Sequence, residues 1–403
     1  MEDIKKIPVL RFPEFSGEWR VKKINQVGDV VTGSTPETKY PEYYNGDNLF
    51  VSPADIQENR FVKKTNTTLT DIGFSKGRLV KKGSVLFVCI GSTIGKVAQA
   101  SKNCITNQQI NSINIYSKFS NDFFYSLLYF KSRNIKVLAG KQAVPIINKT
   151  DFSKIELFLP KIEEQQKISY FLIKIDTKIE KLSNKKQLLD SYKKGVMQKI
   201  FSQELRFKDD EGNSYPNWEE KKLGDISKIY DGTHTTPDYK KEGIPFYSVE
   251  HLTRNNFLNT KFISKEVFEK ENKRIKIEKG DILMTRIGDI GTSKYIDWDV
   301  NASFYVSLAL IKKSDSNNTI FINQYIKSSF FQKELHKRII HVAFPKKINL
   351  GEISHCLINL PSLTEQTQIA GFLTKIDHKI NFVEKQLVDT KNYKKSLLQQ
   401  MFV

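Results

Sequence analysis

The chain is poor in the residues that usually announce chemistry. Its 403 residues include only three cysteines, three tryptophans and six histidines, and acidic side chains fall well short of basic ones. Cys89, Cys104 and Cys356 have no metal-ligand spacing, so reduced thiols in a cytoplasmic setting are expected. The longest apolar runs, such as 85–90, are far too short to span a bilayer, and the opening MEDIKKIPVL has no signal-peptide core. The histidines form no HExxH or Cys/His cluster, which argues against zinc. Gly91-Ser92-Thr93-Ile94-Gly95-Lys96-Val97 is one residue short of a phosphate loop, and Val97 stands where a Mg-binding hydroxyl is needed. No Asn/Asp-Pro-Pro-aromatic motif of an amino-methyltransferase occurs, and no Gly-rich cofactor loop follows a strand. Pro237-Asp238 with Glu271-Asn272-Lys273 imitates a metal-nuclease pattern. Short patterns of that kind arise often in a chain so rich in Lys and Glu, and the first half has no counterpart.

What is present is a repeat. Residues 159–201 and 360–402 align without a gap at a constant offset of 201, with 17 of 43 positions identical. A repeat of that size has to be settled before any fold is proposed. In the first copy the apolar positions are Ile168, Leu172, Ile175, Ile179, Leu182, Leu189, Val196 and Ile200, with Lys186 and Lys193 filling two seam positions. In the second they are Ile369, Leu373, Ile376, Ile380, Val383, Leu387, Leu397 and Met401, interrupted by Thr390 and Lys394. Apolar residues every 3.5 positions over about five heptads predict a coiled-coil helix. Each helix should span roughly 55–60 Å, and its apolar stripe needs a partner, the nearest being the other copy. Lys186, Lys193 and Lys394 would either snorkel outward or fix helix register. Ser362 and Glu365 look like a capping box for the second helix.

The repeat reaches beyond the helices. Leu10-Arg11-Phe12 matches Leu205-Arg206-Phe207, Trp19 matches Trp218, Gly33 matches Gly232, and Thr35-Pro36 matches Thr236-Pro237 after a two-residue insertion. Segments 81–98 and 278–296 are both short apolar strands ending in a Gly-rich turn. Ala143-Val144-Pro145 matches Ala343-Phe344-Pro345, and Asn148 matches Asn349. Between these anchors each unit reads as short β-rich segments with a helix at 122–130, mirrored at 320–336. The fold class expected is α+β with an internal pseudo-twofold repeat: two similar globular units separated by two long helices forming an antiparallel coiled coil.

Net charge is +19 and the pI near 9.5, which favours a polyanionic partner, nucleic acid by default. The alternative is a Lys-rich background composition without such a partner. A duplicated, basic chain without catalytic motifs, its two divergent units held by matched helices, suits a reader of a two-part site. One turn of B-DNA is about 34–36 Å, so half-sites very roughly one to one and a half turns apart would suit helices of this length.

The doubled opening Leu159-Pro160, Glu164-Gln165, Ile168, Leu172, Asp176, Ile179 and Leu360-Pro361, Glu365-Gln366, Ile369, Leu373, Asp377, Ile380 resembles that of the specificity subunit of type I restriction-modification enzymes. The loop 33–36 and its duplicate strengthen the likeness, which covers essentially the whole chain. The resemblance implies target recognition domains at 1–160 and 204–361 with conserved helical regions at 161–203 and 362–403. It implies double-stranded DNA as ligand, two modification subunits that methylate adenine with S-adenosylmethionine, and restriction subunits that use ATP and Mg²⁺. No catalytic residue, metal site or cofactor is then expected in this chain.

Base reading needs polar or cationic side chains on loops. The candidates in the first unit are Ser34, Thr35, Lys39, Ser92, Thr93, Lys96, Asn107, Gln108, Gln109, Lys141 and Gln142. Those in the second are Thr233, His234, Thr235, Arg286, Asp289, Lys294, Ser303, Tyr305, His341 and Lys346. A stand-alone DNA-binding or nuclease protein acting without partners and a scaffold with incidental charge are the competing readings.

Overall fold

The computed structural model describes residues 7–140 and 144–403. It divides into two compact units. Unit 1 takes in the described residues through Lys185 together with Val383–Val403, and unit 2 is Lys186–Phe382. Both long helices, Ile162–Phe201 and Leu363–Met401, pass from one unit to the other.

The strands of unit 1 are β1 (Arg20–Lys23), β2 (Gly28–Thr32), β3 (Tyr44–Val51), β4 (Phe61–Val62), β5 (Thr67–Leu69), β6 (Val85–Val88), β7 (Val97–Ala100), β8 (Ile105–Thr106), β9 (Ile110–Ile115) and β10 (Glu156–Leu159). Those of unit 2 are β11 (Glu219–Lys222), β12 (Ile229–Asp231), β13 (Ile244–Tyr247), β14 (Lys261–Ile263), β15 (Ile282–Ile287), β16 (Asp289–Tyr295), β17 (Ser303–Phe304), β18 (Leu308–Ile311) and β19 (Leu357–Leu360). Unit 1 has sheets ordered β2-β9-β6-β7-β4 and β5-β3-β8, and unit 2 has β12-β18-β15-β16 and β14-β13-β17. Strand for strand the order repeats, with β4 the one addition. In each unit an antiparallel pair, β1 with β10 or β11 with β19, leads the chain into its long helix.

The central strands β6 and β18 are apolar throughout because both of their faces are covered. Val85 and Phe87 of β6 enter one core while Leu86 and Val88 enter another. Ile282 and Met284 of β15 and Leu283 between them divide in the same way, as the two-residue period of a strand requires.

The helices depart from expectation in two places. The helix expected at 122–130 runs Asn121–Val137, with Ser120 as its N-cap. Its mirror is two helices, Thr319–Ile326 and Ser329–Arg338, because Ser328 accepts from the Phe331 amide and starts a second one.

Within unit 1 the start of the first long helix packs against the end of the second. Ile168, Leu172, Ile175 and Ile179 share a core with Leu397, Leu398, Met401 and Phe402. Asp176 of the first bonds Lys394 of the second at 2.5 Å, and Leu182 there is half-buried while Val383 is buried. Unit 2 repeats the arrangement: Ile369, Leu373, Ile376 and Ile380 join Met197, Ile200 and Phe201, and Lys193 bonds Asp377 at 2.6 Å. The segments are antiparallel in each unit, since 176 faces 394 in one and 193 faces 377 in the other. The same cores hold Trp19 and Phe123, or Phe321 and Phe331, so the seam also closes the floor of each globular unit. Lys193 and Lys394 therefore do not snorkel outward. Each is drawn into the seam by a carboxylate, which fixes register as polar seam positions can. Lys186 bonds Asp190 along its own helix.

The matched residues of the repeat form one cluster per unit. Arg11 grips Glu164 with Nε to Oε1 at 2.8 Å and Nη2 to Oε2 at 2.7 Å, and Trp19 Nε1 donates to the same carboxylate. Arg206, Glu365 and Trp218 do likewise. Gln165 Nε2 donates to Pro160 O while its Oε1 accepts from the Ser120 amide, and Gln366 makes the same two bonds with Pro361 and Asn318. The Glu-Gln pair thus ties the helix start to the strand before it and to a distant helix cap. Glu164 and Glu365 are 2% and 0% exposed, and buried carboxylates need such partners. Half of the expected capping box is absent for that reason: Ser362 Oγ accepts the Glu365 amide at 3.4 Å, but the Glu365 side chain is held by Arg206 and Trp218.

Candidate nucleic-acid interface

In unit 1 the loop after β2 lies against β8. Gly33 donates its amide to Ile110 O and Ser34 donates to Thr106 O. A Cβ on Gly33 would sit 2.1 Å from Asn107 O, and one on Gly232 would sit 2.1 Å from Phe304 O. That close approach explains why both units carry glycine here. Thr35 Oγ1 then donates to Gln108 Oε1 at 2.7 Å.

The turn between β6 and β7 stands beside this loop. Gly91 and Gly95 have φ of 92° and 91°, a left-handed conformation suited to glycine. The Gly91 amide donates to Pro145 O, and the Cys89 amide to Gln109 O. Asn107 and Gln109 bond each other, at 3.0 Å between side chains. Ser34, Thr35, Asn107, Gln108 and Gln109 therefore share one polar rim, and Ser92 and Thr93 lie on the turn beside it. Two strands in antiparallel register flank the turn, so the chain does not run from it into a helix as it does in a phosphate loop. Lys96 is not on the rim; its Nζ donates inward to Ile56 O at 2.9 Å. Lys39 is exposed, pairs with Glu37 and lies over the Tyr40 ring. Lys141 and Gln142 fall outside the described residues.

Unit 2 builds the same rim from different side chains. Thr233 is buried and bridged to Tyr305, whose hydroxyl meets Thr236 Oγ1 at 3.1 Å. His234 and Thr235 are exposed, and His234 Nε2 meets Asp231 Oδ2 at 2.7 Å. The Gly288 amide donates to Lys346 O, as Gly91 does to Pro145. Arg286 is buried rather than presented: its Nη1 donates to Val306 O at 2.6 Å and Nε to Ile348 O at 3.2 Å, tying the rim's segments together. Asp289 accepts from Thr285, and Lys346 is exposed. His341 is also exposed, against the His336 ring. Ser303 is buried in β17, and Lys294 lies apart over Phe257 and Trp298.

Two braces escape the sequence reading. Arg78 Nη1 donates to Thr32 O, just before Gly33, and the Arg78 amide donates to Ser34 Oγ. Arg274 donates to Asp231 O, Gly232 O and Asp231 Oδ1, just before and at Gly232. Both arginines hold the equivalent carbonyl of the rim loop. Their signal is Arg78-Leu79-Val80 before Gly83 against Arg274-Ile275-Lys276 before Gly280, a likeness blurred by one inserted residue. Burial by itself would raise the Asp231 carboxyl, but the bonds from Arg274 and His234 outweigh it and hold it below the usual range.

The three cysteines are buried free thiols, each pushed up to about 12 by burial and so unreactive. Among the described residues no group of three or more His, Cys, Asp or Glu is placed to hold a metal ion, and no helix is long and apolar enough to cross a membrane.

The family model described as "Type I restriction modification DNA specificity domain" matches residues 16–190 and again 215–389. The chain belongs to that family. It is 25% identical over 417 residues to the type I restriction enzyme MjaIX specificity subunit of Methanocaldococcus jannaschii, covering 99% of this chain and 94% of that one. A 150-residue stretch, 36% of this chain and 32% of that one, is 33% identical to the HindI specificity subunit of Haemophilus influenzae. The fold resembles the crystal structure of a type I restriction-modification S subunit from M. genitalium, with TM-score 0.67 at 18% identity over 98% of this chain and 99% of that chain. One matched stretch falls in each repeat unit and takes in its rim, so each rim belongs to one DNA specificity domain.

Proposed function

We propose that the chain is the sequence-reading subunit of a type I restriction-modification complex and that each unit reads one half of a bipartite duplex target. The observation that carries this reading is the rim of loop, strand end and glycine turn, built twice by one topology with different side chains. Family membership and the charge of +19 support it. The functional division is into target recognition domains at 1–160 and 204–361 and conserved helical regions at 161–203 and 362–403. The helices set the spacing of the two halves and dock two modification subunits. The chain contributes no active site. S-adenosylmethionine serves the modification subunits, ATP and Mg²⁺ serve restriction subunits, and the complex works in the cytoplasm. Phosphate contacts place the protein, and the rims supply base contacts.

Methylome sequencing of a host that expresses the chain with a modification subunit tests this. A new bipartite motif, methylated on adenine in both halves, is expected. Absence of any new motif overturns the reading.

A further inference from the structure

The tongue at 340–347 in unit 2 carries side chains that fit nothing in the fold. Phe344 is 103% exposed and Val342 97%, the two most exposed of the large hydrophobic residues described. Single exposed hydrophobics are ordinary on a protein surface. This pair differs because the base beneath it is fixed. The Ile340 amide donates to Lys347 O at 2.8 Å, Gly288 to Lys346 O at 2.7 Å and Ile348 to Arg286 O at 3.0 Å. Arg286 Nε adds a bond to Ile348 O. Lys347 is bridged on both sides, to Ile340 and to Ile287. The tongue is pinned to the rim, and its tip projects an aromatic ring.

The surroundings are cationic. Lys333, Lys337 and Arg338 on the helix Ser329–Arg338 and Lys346 and Lys347 on the tongue outnumber the two carboxylates that pair among them, Glu334 with Lys337 and Arg338 and Glu352 with Arg338. Lys333, Lys346 and Lys347 make no ion pair among the described residues. An apolar tip ringed by unspent positive charge fits a polyanion with stackable interior faces better than an apolar groove on another protein.

We propose that Phe344 is a wedge that enters a base step of the target, unstacking it in the half read by unit 2. The inference rests on the DNA reading above. Apolar side chains inserted between base steps unstack and kink a duplex, and a planar ring gains stacking that an aliphatic tip does not. Unit 1 has the same anchor, with Gly91 donating to Pro145 O and Ile147 to Cys89 O, but the residue aligned with Phe344 before the shared proline is the exposed Val144, one place nearer that anchor. The distortion is therefore confined to one half of the target, and Phe344 determines specificity through the deformability of the step it opens.

The test uses the complex of the full chain with a co-expressed modification subunit. Duplexes carrying the methylated motif have 2-aminopurine placed in turn at each position other than the methylated adenines. The wild type should raise fluorescence at one step in the unit 2 half. Phe344→Ala should abolish that rise and weaken binding by roughly 10-fold, the scale of one lost base–aromatic stack, while Phe344→Trp keeps it. Thermal unfolding of both variants should match the wild type, because the ring touches nothing. Val144→Phe should create a second bright step in the other half. A signal that survives Phe344→Ala, or its absence in a wild type that binds the motif tightly, overturns the wedge alone. Loss of the modification subunit from Phe344→Ala, with the DNA signal unchanged, makes the tongue a protein contact and also overturns it. A wild type with no preference for the motif overturns the DNA reading and the wedge together.

Discussion

The two units agree where they hold the helices and differ where they face outward. Arg11, Trp19, Glu164 and Gln165 recur as Arg206, Trp218, Glu365 and Gln366, bond for bond. The rims share their backbone and a threonine, Thr35 or Thr236, but few other side chains: Asn107-Gln108-Gln109 in one unit stands where Tyr305 and Ser307 stand in the other. Even the seam differs in detail. Asp176 receives Arg60 as well as Lys394, and Arg60 also reaches Asp122 and Gln99, whereas Asp377 receives Lys193 and the amide of Gln324. The repeat keeps its joints around the helices and varies its rims.

The largest effect should come from breaking a joint. Glu164→Ala and Glu365→Ala each leave an arginine and a tryptophan N–H without their buried acceptor, and each should cost about 3–5 kcal/mol in urea unfolding. A loss above 3 kcal/mol for one and below 1 kcal/mol for the other would break the equivalence. Gly33→Ala and Gly232→Ala come next at roughly 2–3 kcal/mol, since a carbonyl must move. Methylation should fail in a different half for each.

Asp176→Asn should cost more than Asp377→Asn, about 2–3 against about 1 kcal/mol, because two cations converge on Asp176 and Asp377 is more exposed. Equal losses would remove the asymmetry. Arg274→Ala should loosen the loop of unit 2 and change the pH response there. The Asp231 carboxyl is lowered in the folded chain, so its contribution is complete above its ordinary value of 3.8 and is lost as pH falls through the lowered one. Loop protection measured by hydrogen exchange should therefore drop in the wild type only in that acid window, and Arg274→Ala should narrow the difference. The smallest effect has the opposite sign. Gly195→Ala and Gly371→Ala, in open space on the two helices, should each stabilise by ~0.5–1 kcal/mol.

The helices were legible because heptad spacing is a strong local signal, and so was the repeat that pairs them. Arg11, Trp19 and Glu164 were each visible as repeated residues, but nothing local joins positions some 150 apart in sequence. Lys96 and Arg286 sit beside glycine turns like rim residues, yet both turn inward to carbonyls that only the folded backbone supplies. Arg78 and Arg274 were hidden by the inserted residue that shifts their spacing. A serine that restarts a helix at Ser328 looks, in one sequence, like any other serine within it.

We propose that the two rims read separately. Methylome sequencing of the complex carrying His234→Ala and Thr235→Ala tests it most directly. The half-sequence assigned to unit 2 should relax or change while the other half and the spacing between them stay the same. A motif that stays unchanged, or one that changes in both halves, would contradict it.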